Sequence, residues 1–393
     1  MPRNFFVPGF RPEESLYVCL YLQFMNPEQL KFSIGITLIN GIGNNIAKNL
    51  ISTLGNEEAV FKEKKKNLEK IPGIGEKLAF QINQHGDVLQ RAETEVEFIL
   101  KNKISYFHYA DNQYPFRLKE CPDAPLLLYF KGNTDINTVK IIGIVGTRSP
   151  TDYGKQLCRD FIRELRDIPG VLIISGLAYG VDICAHKASL ENDIPTLGVV
   201  AHGLDMIYPR IHRNTAVKMI ETGGLITEYI SKTNPDRQNF VQRNRIIAGM
   251  SDAVIVIESA EKGGALLTAD FAQDYNRDIF AFPGRVGDVF SKGCNQLIAE
   301  QKASLIENAS DFVRLMGWEE RTKNPEKQLF IFNELNEDEQ LIYALLKNNY
   351  NGVHVNSLSL EMGIAYSKLT SILLAMEFKS LIRALPGGVY KAI

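Results

Sequence analysis

Between Val139 and Ile306 short apolar runs alternate with longer amphipathic stretches. The runs at 139–146, 171–175, 196–201, 224–227, 253–258, 278–282 and 303–306 predict strands. The intervals 153–167, 180–191, 212–221, 242–250, 264–275 and 293–301 carry helical periodicity. Strand–helix alternation of this kind is the signature of right-handed βαβ units, with a mostly parallel sheet covered by helices on both faces. The expected fold class is therefore α/β.

The flanks read differently. In residues 1–92 the turn Ile39-Asn40-Gly41-Ile42-Gly43 recurs as Ile71-Pro72-Gly73-Ile74-Gly75, and each copy is followed by an alanine, Ala47 or Ala79, inside an apolar helical pattern. That repeat predicts a small all-α domain of two tandem helix-hairpin-helix modules. Such glycines either only turn the chain or let backbone N–H groups approach a phosphate, and the sequence leaves both readings open. Residues 93–138 read as a connector with strand-like pieces at 104–107 and 126–130. The central domain is expected over 93–316, a charged linker over 317–335, and a final domain over 336–393. The last combines helices, a glycine turn at Gly363, a longer helix over Tyr366–Lys379 and a Pro-Gly-Gly hairpin, which together make a winged-helix pattern. As basic groups the longer helix offers only Lys368 and Lys379, beside Ser367 and Ser371, so a protein contact competes with DNA reading.

Composition narrows the class. With 393 residues, 45% hydrophobic and 23% charged, the chain reads as a soluble multidomain protein. The first residues lack the apolar run of a signal peptide, and no stretch reaches membrane-spanning length. Five scattered cysteines, never paired as CxxC, argue against a disulfide framework or a metal site. A cytoplasmic protein without membrane contact is expected. The net charge of −2 is not that of a protein coating nucleic acid indiscriminately, but local patches remain. Phe61 to Lys70 holds five lysines against two glutamates and reads as a solvated helix face; Asp205 to Arg245 holds seven Lys or Arg against four Asp or Glu.

The candidate chemistry gathers at the strand ends. The strand at 139–146 runs into Gly146-Thr147-Arg148-Ser149, small residues and hydroxyls beside one guanidinium, a cradle for an anion. The next strand ends in Ser175-Gly176, with Gly180, Asp182 and His186 shaping its loop. Asp182 and His186 stand four apart on one helical face. They are read as a pair that orients the glycine turn, through His186 or a loop amide, as a direct ligand contact, or as half of a catalytic or metal pair. The third loop sets Tyr208 and Arg210 near His212 and Arg213, cations for phosphate and an aromatic ring for an unpaired base. Arg243, Asn244 and Arg245 open a helix. The two arginines point to different sides, one expected to reach a ligand and the other to brace the fold. Lys262-Gly263-Gly264 starts a further helix with Thr268 one turn in, an anion site of backbone donors. Signatures of the Walker loop, zinc protease, nucleophile elbow and dinucleotide type are absent.

Together GIVGTRSPTDYG, IISGLAYGVDICAHKASL, HGLDMIYPRIHRN, LITEY, FVQRNRIIAGMSDAVIVIESAEKGGALLTADFA and RDIFAFPGRVGDVFSKGCNQLI closely resemble the DprA family of DNA-processing proteins of bacterial transformation, also called Smf. The resemblance implies an extended Rossmann domain that binds single-stranded DNA without cutting it. It also implies a homodimer, protection of incoming strands and their delivery to the recombinase RecA, with no cofactor or metal. The segment Gly293 to Leu305 is the expected interface. The family's G-[SA]-R turn falls on Gly146-Thr147-Arg148, its serine-glycine loop on Ser175-Gly176, its Y-P-K lysine on Arg210, its R-N-R-I on Arg243 to Ile246, and its S-G-S-L-I-T loop on Gly263 to Thr268. This chain departs from the pattern at Arg210, at Val241 in place of a proline and at Ala265 in place of a serine. Arginine keeps the charge but not the geometry of lysine.

Two other classes compete. Nucleotide phosphoribohydrolases of the lysine decarboxylase-like type carry P-G-G-x-G-T-x-x-E, whose glutamate serves the chemistry. Here Phe271 stands at that place and Asp270 is one position off. The other class is a DNA-protecting or scaffolding module that loads no recombinase.

Overall fold

The computed structural model describes residues 26–319, 335–347, 349, 352–379, 381–385 and 388–392. Cys19, most of the expected linker and Pro386-Gly387 of the hairpin lie outside the described residues. The chain divides into two compact units, 1–318 and 319–393.

The described residues of the first unit begin with six helices: α1 (Pro27–Leu38), α2 (Asn44–Leu54), α3 (Glu57–Lys62), α4 (Lys65–Leu68), α5 (Glu76–Asn83) and α6 (Gly86–Lys101). The two glycine turns are built alike. Gly41 and Gly73 adopt φ of +90° and +88°, and Ile42 and Ile74 each close the turn with a 3.0 Å bond from their N–H to the carbonyl three residues back. Ile39, Ile42, Ala47 and Leu50 of the first copy bury with Ile71, Ile74, Ala79 and Ile82 of the second. The boundary expected at 92/93 is corrected, because α6 runs straight through it. Ala92, Val96 and Ile99 all face this core, so the helical layer extends to Lys101.

The rest of the unit is a nine-stranded sheet. In chain order it comprises β1 (Ser105–His108), α7 (Phe116–Lys119), β2 (Leu127–Gly132), β3 (Lys140–Val145), α8 (Asp152–Glu164), β4 (Val171–Ser175), α9 (Val181–Glu191) and β5 (Thr196–Val199). It continues with α10 (Arg213–Thr222), β6 (Gly224–Thr227), α11 (Arg237–Met250), β7 (Ala253–Val256), α12 (Gly264–Asp274), β8 (Asp278–Ala281), α13 (Lys292–Ala299), β9 (Ser304–Leu305) and α14 (Ala309–Leu315). The strand order is β1-β2-β6-β5-β4-β3-β7-β8-β9. From β6 to β9 the pairing is parallel, while the two connector strands add an antiparallel extension beyond β6. Side chains alternate between two cores, as the period of a strand demands. Ile141, Val145, Leu172 and Ile174 face one, and Ile142, Ile144, Ile173 and Ile255 face the other. Fully burying each such side chain contributes roughly 1.5–3 kcal/mol. The helical layer shares its core with Leu126, Leu127 and Tyr129 of the connector, and the Glu95 carboxylate accepts from Ser231 N at 2.9 Å and Ser231 Oγ at 2.5 Å.

The second unit contains α15 (Glu337–Lys347), β10 (Val353–His354), α16 (Val355–Met362), α17 (Tyr366–Phe378), β11 (Ile382–Leu385) and β12 (Val389–Ala392). Its strands form a small antiparallel sheet in the order β10-β12-β11. Gly363 turns the chain between α16 and α17 at φ +63°. Lys368 and Lys379, two of the cations expected on or just after the longer helix, are paired with Asp338 and Glu339. Among the described residues no helix is long and apolar enough to cross a membrane.

Candidate nucleic-acid interface

The strand order reverses at β3. From there the chain steps through β4, β5 and β6 on one side, then returns to place β7 on the other. The loops that leave β3 and β7 diverge at this switch point, and the crevice between them is where ligands bind in open α/β sheets.

These loops are tied together through backbone. Thr147 N donates to Glu258 O at 2.8 Å, Ile257 N to Val145 O at 3.1 Å, and Val181 N to Thr147 O at 3.1 Å. Gly180 sits at φ +85°, and a β-carbon there would lie 2.2 Å from Thr147 O and 2.6 Å from Arg148 Cα. Only glycine lets α9 begin this close to the loop after β3. Glu258 stands just past the end of β7 and is buried. Its carboxylate accepts from Thr151 N at 2.9 Å and Thr151 Oγ at 2.5 Å, and Thr151 Oγ caps α8 by accepting from Gly154 N. The positive end of α8, where a nucleotide phosphate would otherwise be held, thus already has an anion.

Beside this end lie exposed cations and rings. The guanidinium of Arg148 is exposed and sits 5.3 Å from the centre of the Phe240 ring. Tyr208, 44% exposed, lies 5.9 Å from the same ring. His202 fixes the loop that presents Tyr208: its Nδ1 is 2.8 Å from Gly203 O, and its Nε2 accepts from Tyr208 N. Arg210 and Arg213 are exposed in the following turn. Lys262 is exposed as well, and α12 begins after Gly263 with no side-chain cap. Tyr179, half exposed, packs edge-on against His212.

Beneath the rim lies a buried polar cluster. Asp182 accepts from the loop amide of Ala178 at 3.4 Å; burial pushes its carboxyl up, opposed by the nearby Arg243 cation. His186 Nδ1 lies 2.7 Å from Thr196 Oγ, which itself donates to Ile173 O, so Nδ1 carries the hydrogen. Burial, followed by the Arg243 and His212 charges, holds His186 down to about 3. Asp182 therefore serves a loop amide, one of the roles expected of it, while His186 is a neutral core histidine bonded to Thr196.

Four further candidate side chains lie below the surface. Ser175 Oγ is buried and donates to Ile144 O at 2.6 Å. Arg243 is 3% exposed and donates to Val199 O at 2.9 Å. Arg245 is also buried, donating to Glu228 and to Asp123 O. Thr268 is buried on the inner face of α12. Both arginines brace the fold, and neither guanidinium is at the surface. Gly146, Thr147, Arg148, Ser149, Gly176, Tyr208 and Lys262-Gly263-Gly264 lie in the strand-to-helix loops or at their helix ends, whereas Asn244 lies within α11, which begins at Arg237 and so is not opened by Arg243 to Arg245. Phe240, Glu258 and His202 were not singled out from sequence. A carboxylate directly after Val254-Ile255-Val256-Ile257 was the available signal for Glu258. Among the described residues no group of three or more His, Cys, Asp or Glu is placed to hold a metal ion.

A family model described as DNA recombination-mediator protein A matches residues 105–317, and one for a SAM-like helix-hairpin-helix tandem matches 35–82. Over 209 residues the chain is 41% identical to the DNA processing protein DprA of Bacillus subtilis, covering 53% of this chain and 70% of that one. The X-ray structure of DNA processing protein A from Streptococcus pneumoniae aligns with a TM-score of 0.62 at 29% identity, covering 75% of this chain and 98% of that one. DNA processing protein A from Helicobacter pylori, whose structure concerns its single-stranded DNA binding mode, aligns with a TM-score of 0.50 at 32% identity over 55% and 95% of the two chains.

Proposed function

The chain belongs to the DNA recombination-mediator protein A family, and on that premise we propose that its rim binds single-stranded DNA without cleaving it. The observation that carries the reading is the arrangement of Arg148, Phe240 and Tyr208, an exposed cation and two rings in one chain of contacts. A guanidinium takes the phosphate oxygens, and the rings offer faces to unpaired bases. Duplex bases are already stacked on one another and gain nothing from such rings. The solved relative from Helicobacter pylori, described for its single-stranded DNA binding mode, supports the same reading.

In this reading Gly146, Thr147, Ser149, Gly176 and Asn244 shape or line the path of the strand. Arg210, Lys262 and the uncapped start of α12 at Gly263-Gly264 neutralise further phosphates. Glu258 is committed to α8, which supports holding over hydrolysis. The protein acts in the cytoplasm as a homodimer that protects incoming strands and passes them to RecA in transformation. The helical layer and the winged-helix unit are its accessory domains. Fluorescence anisotropy of labelled single-stranded and duplex oligonucleotides, with a nucleoside monophosphate hydrolysis control, tests the reading. Preference for single strands with no hydrolysis is expected, and equal affinity for duplex overturns it.

A further inference from the structure

We propose, on the single-strand reading above, that Tyr179 is a second base seat on the rim, a ring on which another unpaired base of the bound strand stacks. It lies in the loop between β4 and α9 and is 49% exposed, although Leu177 and Ala178 just before it are buried. A large ring left this open on a strand-to-helix loop is available to a flat, apolar partner. The rings of Tyr179 and His212 meet at 68° with their centres 5.1 Å apart. At that angle they do not stack, so the histidine leaves at least one face of the tyrosine uncovered.

The loop that carries the ring is fixed at both ends. His212 is buried, and its Nδ1 donates to Leu177 O at 2.9 Å, so one imidazole both ties the loop and supports the ring two residues on. Leu177 is fully buried at φ +58°, a left-handed conformation uncommon for residues other than glycine. Its side chain packs with Val200, Ala216 and Met219. At the far end Val181 N donates to Thr147 O at 3.1 Å, and Gly180 lies against Thr147 O and the Arg148 backbone. Tyr179 is thus presented in advance, and little ordering has to be done when a strand arrives.

Its surroundings carry charge. Tyr208 leads into a short turn, Arg210 to His212, in which Arg210 is exposed. A phosphate held by Arg210 therefore has a ring on either side, Tyr208 before it and Tyr179 on His212 after it. Two rings about one cation suit a strand that turns two bases toward the protein while its backbone follows the charges. A lone nucleotide has one base to offer, and a duplex keeps its bases stacked on one another.

The full chain is bound to a single-stranded oligonucleotide carrying iododeoxyuridine, irradiated, digested and analysed by mass spectrometry. A nucleotide adduct on Tyr179 is expected beside adducts on Tyr208 or Phe240. In anisotropy titrations Tyr179→Ala should weaken binding of that strand by roughly 5- to 150-fold and leave binding of an abasic strand of the same length unchanged. Tyr179→Phe, which keeps the ring, should restore the affinity. Adducts on Tyr208 with none on Tyr179, or an equal loss for both strands, overturn the second seat and leave the single-strand reading standing. A native chain that binds duplex as well as single strands overturns that reading, and this seat with it.

Discussion

The guanidinium of Arg243 fills the space that a β-carbon at Gly176 would need; such a carbon would lie 1.5 Å from Nη1. The glycine of the loop after β4 is therefore a seat for a buried cation from α11. Gly176→Ala should lower stability by about 1–3 kcal/mol, the usual cost of overpacking, as measured by urea unfolding. Placed on an Arg243→Leu background the same change should cost much less, because the clash is gone. Additive losses would mean that the two residues do not share this space.

Arg148 is exposed, so its removal should leave the fold intact and act on the ligand. A charge-assisted hydrogen bond contributes about 1.5–3 kcal/mol. Arg148→Ala should therefore weaken single-stranded DNA binding by roughly 10- to 150-fold with an unchanged melting temperature. The log–log salt dependence should flatten by about 0.7, one phosphate's share for a single strand. Unchanged anisotropy titrations would take Arg148 out of the site.

The rings make a separate claim. Stacking on an aromatic side chain is worth about 1–3 kcal/mol per base. Tyr208→Ala should weaken single-stranded binding by that amount while leaving both the salt slope and duplex affinity nearly unchanged. A loss that is equal for duplex would assign Tyr208 to backbone contact.

His186 sets an acid limit on stability. Its pKa is about 3 in the folded protein against an ordinary 6.5. The unfolded chain thus takes up a proton near pH 6.5 that the folded one refuses until near 3. Its contribution is complete above 6.5 and falls on acidification through that window, by on the order of 1.4 kcal/mol per unit of pH. His186→Asn keeps an N–H for Thr196 and cannot titrate there, so its unfolding free energy should decline less steeply over the same range. Parallel declines in urea titrations would rule this out.

The edge strand β9 leaves Leu305 45% exposed, and Val286 in the loop after β8 is 93% exposed. An unpaired strand edge with an exposed apolar side chain is a ready surface for a second copy. Leu305→Arg should give a monomer in sedimentation velocity at micromolar concentration, and the native chain is expected to give a dimer. A native chain that is itself monomeric would remove the dimer from the proposed function.

The sheet was legible because its strands are runs of β-branched residues that stop at glycines. The runs at 171–175 and 224–227 coincide with β4 and β6. The rim was legible as a set of loops, since a parallel sheet puts all its strand-to-helix turns on one edge. What the sequence could not give was depth. Arg243 and Arg245, two apart on α11, bond different partners, Val199 O for one and Glu228 and Asp123 O for the other, yet both end under the surface. Helical spacing fixes direction and says nothing about how much protein lies beyond. Ser175 and Thr268 are buried as well, and nothing in their spacing shows it. Glu258 was counted with an apolar strand, and its role depends on Thr151, more than a hundred positions earlier in the chain. The helix α6 was cut at residue 92 because the change from helical layer to sheet leaves no break in its periodicity.

The Glu258 carboxylate against the start of α8 has a consequence for what the protein ignores. A free mononucleotide gains most of its hold on such folds from one strong phosphate seat, and here a tethered anion occupies that seat permanently. What remains is a row of weak, separated seats, and only a polymer can fill several of them at once without paying again for its own immobilisation. On the proposed reading, small nucleotides should be excluded by valency, while a long strand is admitted one modest contact at a time.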